Sequence, residues 1–230
     1  MTPTHSNDLA PLHRLLSRLT GDEKHNTGAH STLHVLWALY SRVLRIEPDN
    51  PHDELRDRFY LSKGHGPHAY YAVLAAHGFI NPDMLDSFGS LTSPLGHHPD
   101  RTLVPGVEIA SGSLGHGLGL AIGAYRALQA KRLTTPRLYV LIGDGELDEG
   151  SNMEAIQVAG RLRMERLTVI VIDNNSSTYG WNDSIGSRFE VEGWVSSNVN
   201  GQDVVALATA LNTAHDRPHV VVAHTERSAS

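Results

Sequence analysis

The sequence predicts an α/β fold, a doubly wound and mostly parallel sheet flanked by helices. Three short apolar runs rich in branched residues carry this prediction, at 140–142, 168–172 and 220–223. Each run is continuous rather than alternating, as in parallel strands that are buried on both faces. Segments with helical spacing separate the runs, and strands that alternate with helices build a doubly wound sheet. The length of 230 residues predicts a single domain over 1–230.

The helical segments are predicted from the spacing of apolar residues. Residues 8–20 alternate apolar and polar side chains at helical spacing. Residues 31–44 form a second segment, which the turn-forming run 48–51 closes. Its apolar side consists of Leu33, Leu36, Trp37, Tyr40 and Leu44. Residues 113–128 contain Gly115, Gly117, Gly119 and Gly123. Glycine is a poor choice for an exposed helix, so we expect these glycines to pack closely against backbone or a ligand.

Composition and charge exclude several classes of protein. The net charge is −6 with both signs interspersed, which does not indicate a surface for nucleic acid or anionic membrane. The chain has no cysteine, so disulfides, thiolate metal sites and a cysteine nucleophile are excluded. The first residues lack a secretion-signal pattern, and no apolar run reaches membrane-spanning length. We therefore expect a cytoplasmic protein that binds neither nucleic acid nor membrane.

The most informative segment is 139–181. One strand ends in Gly143-Asp144-Gly145, a helix follows, and a second strand ends in Asn174-Asn175. The glycines let the backbone approach a ligand, and the helix offers its amino terminus to anions. Both strands end at the same edge of the sheet, so a carboxylate, an amide oxygen and loop carbonyls converge there. Such oxygens suit a hard cation bound with phosphate. The pattern predicts a magnesium diphosphate site.

Four blocks of the sequence, taken together, resemble the transketolases. Gly-Asp-Gly followed by Asn-Asn is similar to the thiamine diphosphate motif. Residues 58–66, RFYLSKGHG, are similar to the LSKGH block, residues 98–100 to the GHP loop, and residues 112–117, GSLGHG, to the GSLGQG block. The resemblance runs from about residue 12 to residue 225. It implies the thiamine diphosphate-binding fold, specifically its diphosphate domain.

The resemblance implies a cofactor and its ligands. Thiamine diphosphate would bind with Mg²⁺, or with Ca²⁺ in its place. Asp144, Asn175 and a carbonyl near Ser177 would be the metal ligands. The implied cofactor-binding residues are His65, Gly112, Leu114, Gly143, Asp144, Gly145 and Asn175. The alternative is that Asp144 only caps the following helix and Asn175 only ends a strand.

The resemblance also implies catalytic histidines. His65 would hydrogen-bond the diphosphate and face the substrate, and His98 would contact hydroxyl groups of the donor. His25 would line the substrate channel. Neighbouring histidines compete for two of these roles, His97 with His98 and His30 with His25. Each of these side chains could instead be an ordinary loop or surface histidine.

Two carboxylates complete the implied catalytic set. Glu149 and Glu154 would lie on the helix that follows Gly143-Asp144-Gly145, at a subunit interface. There they would join a hydrogen-bonded network that links two active sites. The alternative is a solvated helix face.

Two other kinds of site are compatible with parts of the sequence. Neutral imidazoles are good zinc ligands, so His65, His68, His97 and His98 are one candidate set, although no ligand spacing supports it. The glycines of 115–119 suggest a dinucleotide site, but their spacing and the missing preceding strand argue against it.

The resemblance implies a second chain. A full transketolase also has a pyrimidine-binding domain, and 230 residues are too few for both domains. We therefore expect a split enzyme in which a separate subunit carries that domain and two heterodimers pair as α2β2. The family's lysine- and glycine-rich segment would follow Thr225, where this sequence reads ERSAS. One wall of the substrate funnel would then come from the partner.

The expected function is that of a thiamine diphosphate-dependent transferase. The enzyme would transfer a two-carbon ketol unit from a ketose or ketose phosphate to an aldose. A specialised variant would deliver the unit to a lipoyl or acyl carrier protein. His65, His98 and His25 would handle proton transfer and substrate hydroxyl groups. Two alternatives are the alpha subunit of a 2-oxoacid dehydrogenase first component and a non-catalytic scaffold that binds a partner.

Overall fold

The fold is built on one sheet of five parallel strands. These are β1 (Arg58–Leu61), β2 (Leu138–Gly143), β3 (Leu167–Asp173), β4 (Val195–Asn200) and β5 (His219–His224). Their order in the sheet is β1-β2-β3-β5-β4, and every neighbouring pair is parallel. This computed structural model describes residues 9–20, 23–64, 66–178, 180 and 183–225, and only the backbone of 23–30.

Seven α-helices are described together with two 3₁₀ turns. The helices are α1 (Ala10–Leu16), α2 (Glu23–Arg42), α3 (Pro67–Ala76), α4 (Gly117–Ala130), α5 (Gly150–Arg161), α6 (Ile185–Glu190) and α7 (Val204–Asn212). The 3₁₀ turns are Pro82–Ser87 and Gly145–Asp148. Within the described ranges, no helix is both long enough and apolar enough to cross a membrane.

The strands alternate their side chains between two separate cores. Tyr139 and Leu141 pack with α1, α2, α3 and α7 on one face of the sheet. Val140 and Ile142 pack with α4, α5 and α6 on the other face. Both faces are covered, which explains why these strands read as continuous apolar runs. The predicted doubly wound α/β fold is confirmed.

The predicted elements are recovered with shifted ends. The three predicted strands lie within β2, β3 and β5, whereas the short β1 and the polar edge strand β4 were not predicted. The predicted helix over 8–20 is observed only as α1. The helix predicted over 31–44 begins at Glu23 and ends at Arg42, before the turn-forming run 48–51. It ends in a wider turn, where Leu44 donates to the carbonyl of Leu39 beside the regular helical bond from Val43.

Only part of the prediction for the glycines of 113–128 is correct. A Cβ built on Gly117 would lie 2.4 Å from Cβ of Ser62, and Gly115 has φ +80 and lies against Ser151. These two glycines permit close packing. For Gly119 and Gly123, packing against this chain is ruled out, because no described atom lies within 4 Å of a Cβ built on either one, and packing against a ligand stays a prediction.

Candidate functional site

The Gly143-Asp144-Gly145 loop follows β2 directly. Asp144 is 2% exposed. Its Oδ1 accepts a hydrogen bond from the backbone N–H of Gly145 at 2.8 Å and another from the Ser176 hydroxyl. Its Oδ2 accepts from the backbone N–H groups of Ser176 at 2.7 Å and Ser177 at 3.2 Å. Asp144 therefore caps the next turn, as the alternative interpretation held, but it also ties that turn to the loop after β3.

The loop after β3 brings the other predicted metal ligands to the same edge of the sheet. Asn175 is exposed and has φ +54, a left-handed conformation that asparagine tolerates better than most residues. The Ser177 hydroxyl donates to Asp148 at 3.2 Å. A carboxylate, an amide and backbone carbonyls are thus neighbours, and these are the oxygens that a hard cation prefers. In the described part of the chain, no three His, Cys, Asp or Glu side chains are grouped as a metal site.

The element after Asp144 differs from the prediction. An α-helix was expected to offer its amino terminus to anions, but the chain first forms the 3₁₀ turn Gly145–Asp148. Helix α5 begins only at Gly150, and Glu149 is the residue at its amino-terminal cap. Glu149 and Glu154 are both exposed. Their exposure fits a partner interface or a solvated face equally well.

A buried carboxylate that the sequence analysis overlooked connects three loops. Glu146 is 3% exposed. Its Oε1 accepts from the Ser62 hydroxyl and from the backbone N–H of Gly115 at 2.9 Å, and its Oε2 accepts from the N–H of Gly143 at 3.3 Å. The Ser62 oxygen in turn accepts from the N–H of Gly117 at 3.0 Å. One side chain therefore holds the ends of β1 and β2 against residues 112–117 before and at the start of α4, which we call the glycine loop.

Burial dominates the electrostatics of this network. It raises the pKa of Glu146, although the hydrogen bonds from Ser62, Gly115 and Gly143 and the charge of Lys63 oppose the shift. Burial also lowers the pKa of Lys63 to about 8, against the attraction of Asp144 and Glu146. The position of Glu146 beside Gly-Asp-Gly was a signal in the sequence, but the tertiary contacts are what give it a role.

The predicted cofactor-binding residues of the glycine loop lie beside His98. Gly112 has φ +117, and a Cβ built there would be 2.9 Å from a ring carbon of His98. A Cβ built on Gly64 would be 3.2 Å from Cδ2 of Leu114. His97 instead contacts the ring of Phe88, with centroids 5.4 Å apart. The loops that carry the family blocks therefore converge, with His98 at their meeting point.

Some predicted residues cannot be placed. His65 lies outside the described residues. His25 and its competitor His30 lie in α2, where only the backbone is described. Their roles stay predictions. His116 precedes α4, and its Nδ1 lies 3.1 Å from the Ser113 hydroxyl and 3.1 Å from the Leu114 carbonyl oxygen.

A second polar cluster lies at the same edge of the sheet and was not predicted. His224, at the end of β5, places Nδ1 at 2.9 Å from a carboxylate oxygen of Asp173. Its Nε2 lies 2.9 Å from the amide oxygen of Asn198 on β4. Three carboxyl strand ends meet here, and ligands of open α/β sheets bind at that edge. Separate runs of sequence supply the three side chains, so no local motif could reveal them.

Comparisons with known proteins agree with this geometry. A model of the family described as transketolase, thiamine diphosphate binding domain, matches residues 20–226. The chain is 34% identical over 212 residues to one subunit of the apulose-4-phosphate transketolase of Phocaeicola vulgatus, covering 88% of this chain and 75% of that protein. It is 33% identical over 210 residues to one subunit of the 6-deoxy-6-sulfo-D-fructose transketolase of a Clostridium species, covering 87% and 76%.

A third relative carries a different name. The chain is 52% identical over 217 residues to a protein of Rhodococcoides fascians named ferredoxin fas2, covering 94% of this chain and 71% of that protein. Among solved structures, the transketolase of Leishmania mexicana matches with a TM-score of 0.77 at 25% identity. That match covers 95% of this chain and 37% of the Leishmania chain.

These matches test the expectations drawn from the sequence. The fold, the thiamine diphosphate-binding domain and the class of enzyme are confirmed. Relatives that are named as single subunits of transketolases confirm the resemblance to one part of a split enzyme. Because the family model spans residues 20–226, the chain belongs to the transketolase thiamine diphosphate-binding domain family.

Proposed function

We propose that this chain is the diphosphate- and metal-binding subunit of a two-chain transketolase-type enzyme. The enzyme transfers a two-carbon ketol unit from a ketose or ketose phosphate to an aldose. The observation that carries the proposal is the buried Asp144 carboxylate, which joins the end of β2 to residues 176–177 after β3. Relatives named as transketolase subunits support it.

The residues present fit thiamine diphosphate and a divalent cation. Asp144, Asn175 and the carbonyl of Ser177 offer oxygens that would hold Mg²⁺ or Ca²⁺. Gly145 lies against the loop after β3, since a Cβ built there would contact the Ser176 carbonyl oxygen at 3.6 Å, so the two loops that carry these donors are close neighbours. When bound, thiamine diphosphate supplies an electron sink for breaking the carbon–carbon bond beside a ketone.

The chain's own residues then bind the donor and manage its protons. His98, exposed beside Gly112, hydrogen-bonds hydroxyl groups of the donor. His65 contacts the diphosphate and His25 lines the channel. Glu149 and Glu154 meet the partner at the start of α5, where they are accessible. The hydrogen bonds of Glu146 fix the glycine loops around the cofactor before it binds.

The proposal includes a partner. A separate polypeptide carries the pyrimidine-binding domain, residues 1–230 form one domain, and two heterodimers assemble as α2β2 in the cytoplasm. Relatives named as individual transketolase subunits support the division into two chains. A lipoyl or acyl carrier protein replaces the aldose as acceptor in the specialised variant.

A second candidate function is oxidation of the donor fragment, with a ferredoxin as electron acceptor. The relative named ferredoxin fas2 favours it. The 230 residues contain no cysteine, so this chain cannot itself hold a cysteine-ligated iron–sulfur cluster. The cluster would lie in another polypeptide or domain.

Donor cleavage tests the two functions together. The chain is assayed alone and with the product of a neighbouring gene, with thiamine diphosphate, Mg²⁺ and an artificial electron acceptor. Xylulose 5-phosphate and pyruvate compete as donors. Partner-dependent cleavage of the ketose supports the transketolase proposal, and a preference for pyruvate supports a 2-oxoacid dehydrogenase. No cleavage of either donor contradicts both. Replacing the artificial acceptor with an aldose or a ferredoxin then separates transfer from oxidation.

A further inference from the structure

Two histidines at the amino edge of the sheet have no role in the function proposed above. His219 is the first residue of β5 and is 2% exposed. His215 lies in the segment that leads from α7 into β5 and is half-buried. The centroids of the two rings lie 4.3 Å apart, and the rings are tilted by 56°. Because β5 ends only at His224, the pair lies about 17 Å from the carboxyl edge that holds the candidate cofactor site.

The two rings each have a buried nitrogen without a hydrogen-bond partner. Nε2 of His219 lies 2.9 Å from the Ser197 hydroxyl on β4. Nδ1 of His219 and Nε2 of His215 are buried, and neither meets a partner in the part of the chain that the structure describes. In native proteins, most buried polar side-chain atoms are hydrogen-bonded. Two orphaned nitrogens on neighbouring rings therefore indicate one ligand that both rings would bind.

The chemistry of the pair is that of metal ligands. Burial, together with neighbouring His215, lowers the pKa of His219 to about 4, so the ring is neutral near pH 7. When Nε2–H donates to the Ser197 oxygen, Nδ1 keeps a lone pair. Histidines that bind metals commonly donate their other N–H in this way, which fixes the orientation of the ring. Imidazole nitrogens suit Zn²⁺, Ni²⁺ and Cu²⁺, whereas Mg²⁺ prefers oxygen ligands.

We propose that His215 and His219 bind one transition-metal ion of the Zn²⁺ class, through Nε2 of His215 and Nδ1 of His219. Ser197 is a positioning residue for the His219 ring. No third His, Cys, Asp or Glu side chain joins a metal group among the described residues, so water would complete the coordination. The ion would tie the segment before β5 to the strand itself and stabilise the folded chain by mass action. This inference does not depend on the proposed function.

The competing role for the pair is packing alone. If the two rings only fill the end of the core under α7, replacing one of them lowers stability but leaves the binding of Zn²⁺ unchanged. If both rings hold one ion, replacing either ring removes the same ion. The second replacement then has no further effect on binding, which separates a shared site from two independent histidines.

The test measures binding of Zn²⁺ by calorimetry to the untagged full-length chain. The parent is compared with His215→Gln, His219→Gln and the variant that carries both changes. We expect each single change to weaken the tightest Zn²⁺ site more than about 100-fold, because changes to groups that only support a ligand already cost about 10–100-fold. The chain has 15 histidines, so the matched control is His52→Gln, at an exposed position away from the pair. This control should bind Zn²⁺ as the parent does.

Two further measurements keep the inference testable if a histidine variant misfolds. Ser197→Ala keeps both rings and should weaken Zn²⁺ binding by about 10–100-fold, since it removes only the group that orients His219. Electron paramagnetic resonance of the parent with less than one equivalent of Cu²⁺ should show two imidazole nitrogens on one ion. Zn²⁺ should also raise the Tm of the parent and not that of the double variant. Parent-like Zn²⁺ affinity in both single variants, or a Cu²⁺ spectrum with fewer than two nitrogens, would overturn the inference.

Discussion

The two edges of the sheet hold buried carboxylates in different ways. At the amino edge, Asp57 precedes β1 and is fully buried, and it accepts hydrogen bonds from the backbone and guanidinium groups of Arg45 and Arg137. At the carboxyl edge, Asp144 and Glu146 accept mainly from backbone N–H groups and serine hydroxyls. Burial would raise the pKa of Asp57, but the hydrogen bonds from Arg45 and Arg137 outweigh it and lower the pKa.

The difference separates a structural ion pair from a candidate binding site. Two arginines already satisfy Asp57, so a ligand has nothing to add there. Around Asp144, backbone N–H groups and a serine hydroxyl hold the carboxylate in place. One ammonium, that of Lys63, is shared between Asp144 and Glu146, so negative charge remains to attract a cation. The same residue type is thus part of the scaffold at one edge and part of the candidate site at the other. Four predictions test this contrast.

The largest effect is expected at the amino edge. Asp57→Ala leaves two arginines without their shared carboxylate and should lower the free energy of unfolding by about 3 kcal/mol, near the lower limit for breaking a buried pair. The lower limit applies because Arg45 is 54% exposed and can turn toward water. Urea unfolding measures the change. The affinity of the folded variant for thiamine diphosphate should not change. A loss of affinity equal to that of Asp144→Ala would contradict the assignment of Asp57 to the scaffold and Asp144 to the candidate site.

The second effect is on binding at the carboxyl edge. Asp144→Ala should weaken Mg²⁺-dependent binding of thiamine diphosphate more than about 100-fold in the assembled complex, because changes to groups that only support a ligand already cost about 10–100-fold. The fold should persist, as circular dichroism can verify. Asp86→Ala is the control, because Asp86 is an exposed aspartate whose carboxylate pairs with Arg18. Unchanged affinity in Asp144→Ala would refute the metal assignment.

The third prediction compares two glycines of α4. Gly117→Ala places a methyl group 2.4 Å from Cβ of Ser62, and we expect it to destabilise the fold by about 1–3 kcal/mol, as overpacking does. Gly119→Ala meets no described atom within 4 Å and should stabilise the helix by about 0.5–1 kcal/mol. Thermal unfolding of both variants gives the comparison. Equal effects would show that Ser62 does not confine the glycine loop.

The smallest effect concerns pH at the amino edge. Burial, together with neighbouring His215, lowers the pKa of His219 from 6.5 to about 4. Between these values the unfolded chain binds a proton that the folded chain does not, so stability is complete above pH 6.5 and falls as pH drops toward 4. At pH 5.5 the loss should be roughly 1 kcal/mol.

A variant of His219 isolates this pH effect. His219→Gln should flatten the dependence of the free energy of unfolding on pH between 6.5 and about 4, because it removes the titrating ring. Glutamine can keep a polar contact with the Ser197 hydroxyl, which lies 2.9 Å from Nε2 of His219. His52→Gln, at an exposed position, is the control. A parent chain whose stability does not change over this range would contradict the prediction.

The site could be predicted where its residues are close in sequence. Gly143, Asp144 and Gly145 form one loop, and the strands on either side are long and apolar enough to place Asn175 at the same edge. Glu146 was missed because its partners come from residues 62 and 115, which only the fold brings near. The cluster of His224, Asp173 and Asn198 was missed for the same reason.

The amino-acid sequence was sufficient to predict the layers of the fold and the family to which the chain belongs. Continuous apolar runs require a sheet covered on both faces, and a glycine-flanked aspartate at a strand end needs no distant contact to be recognised. Which polar residues are buried, and which groups they contact, depends on how the chain packs. Burial is a property of the packed chain, and it gave Glu146 and Lys63 the shifted pKa values and Asp57 the two arginine partners that distinguish a site from a scaffold.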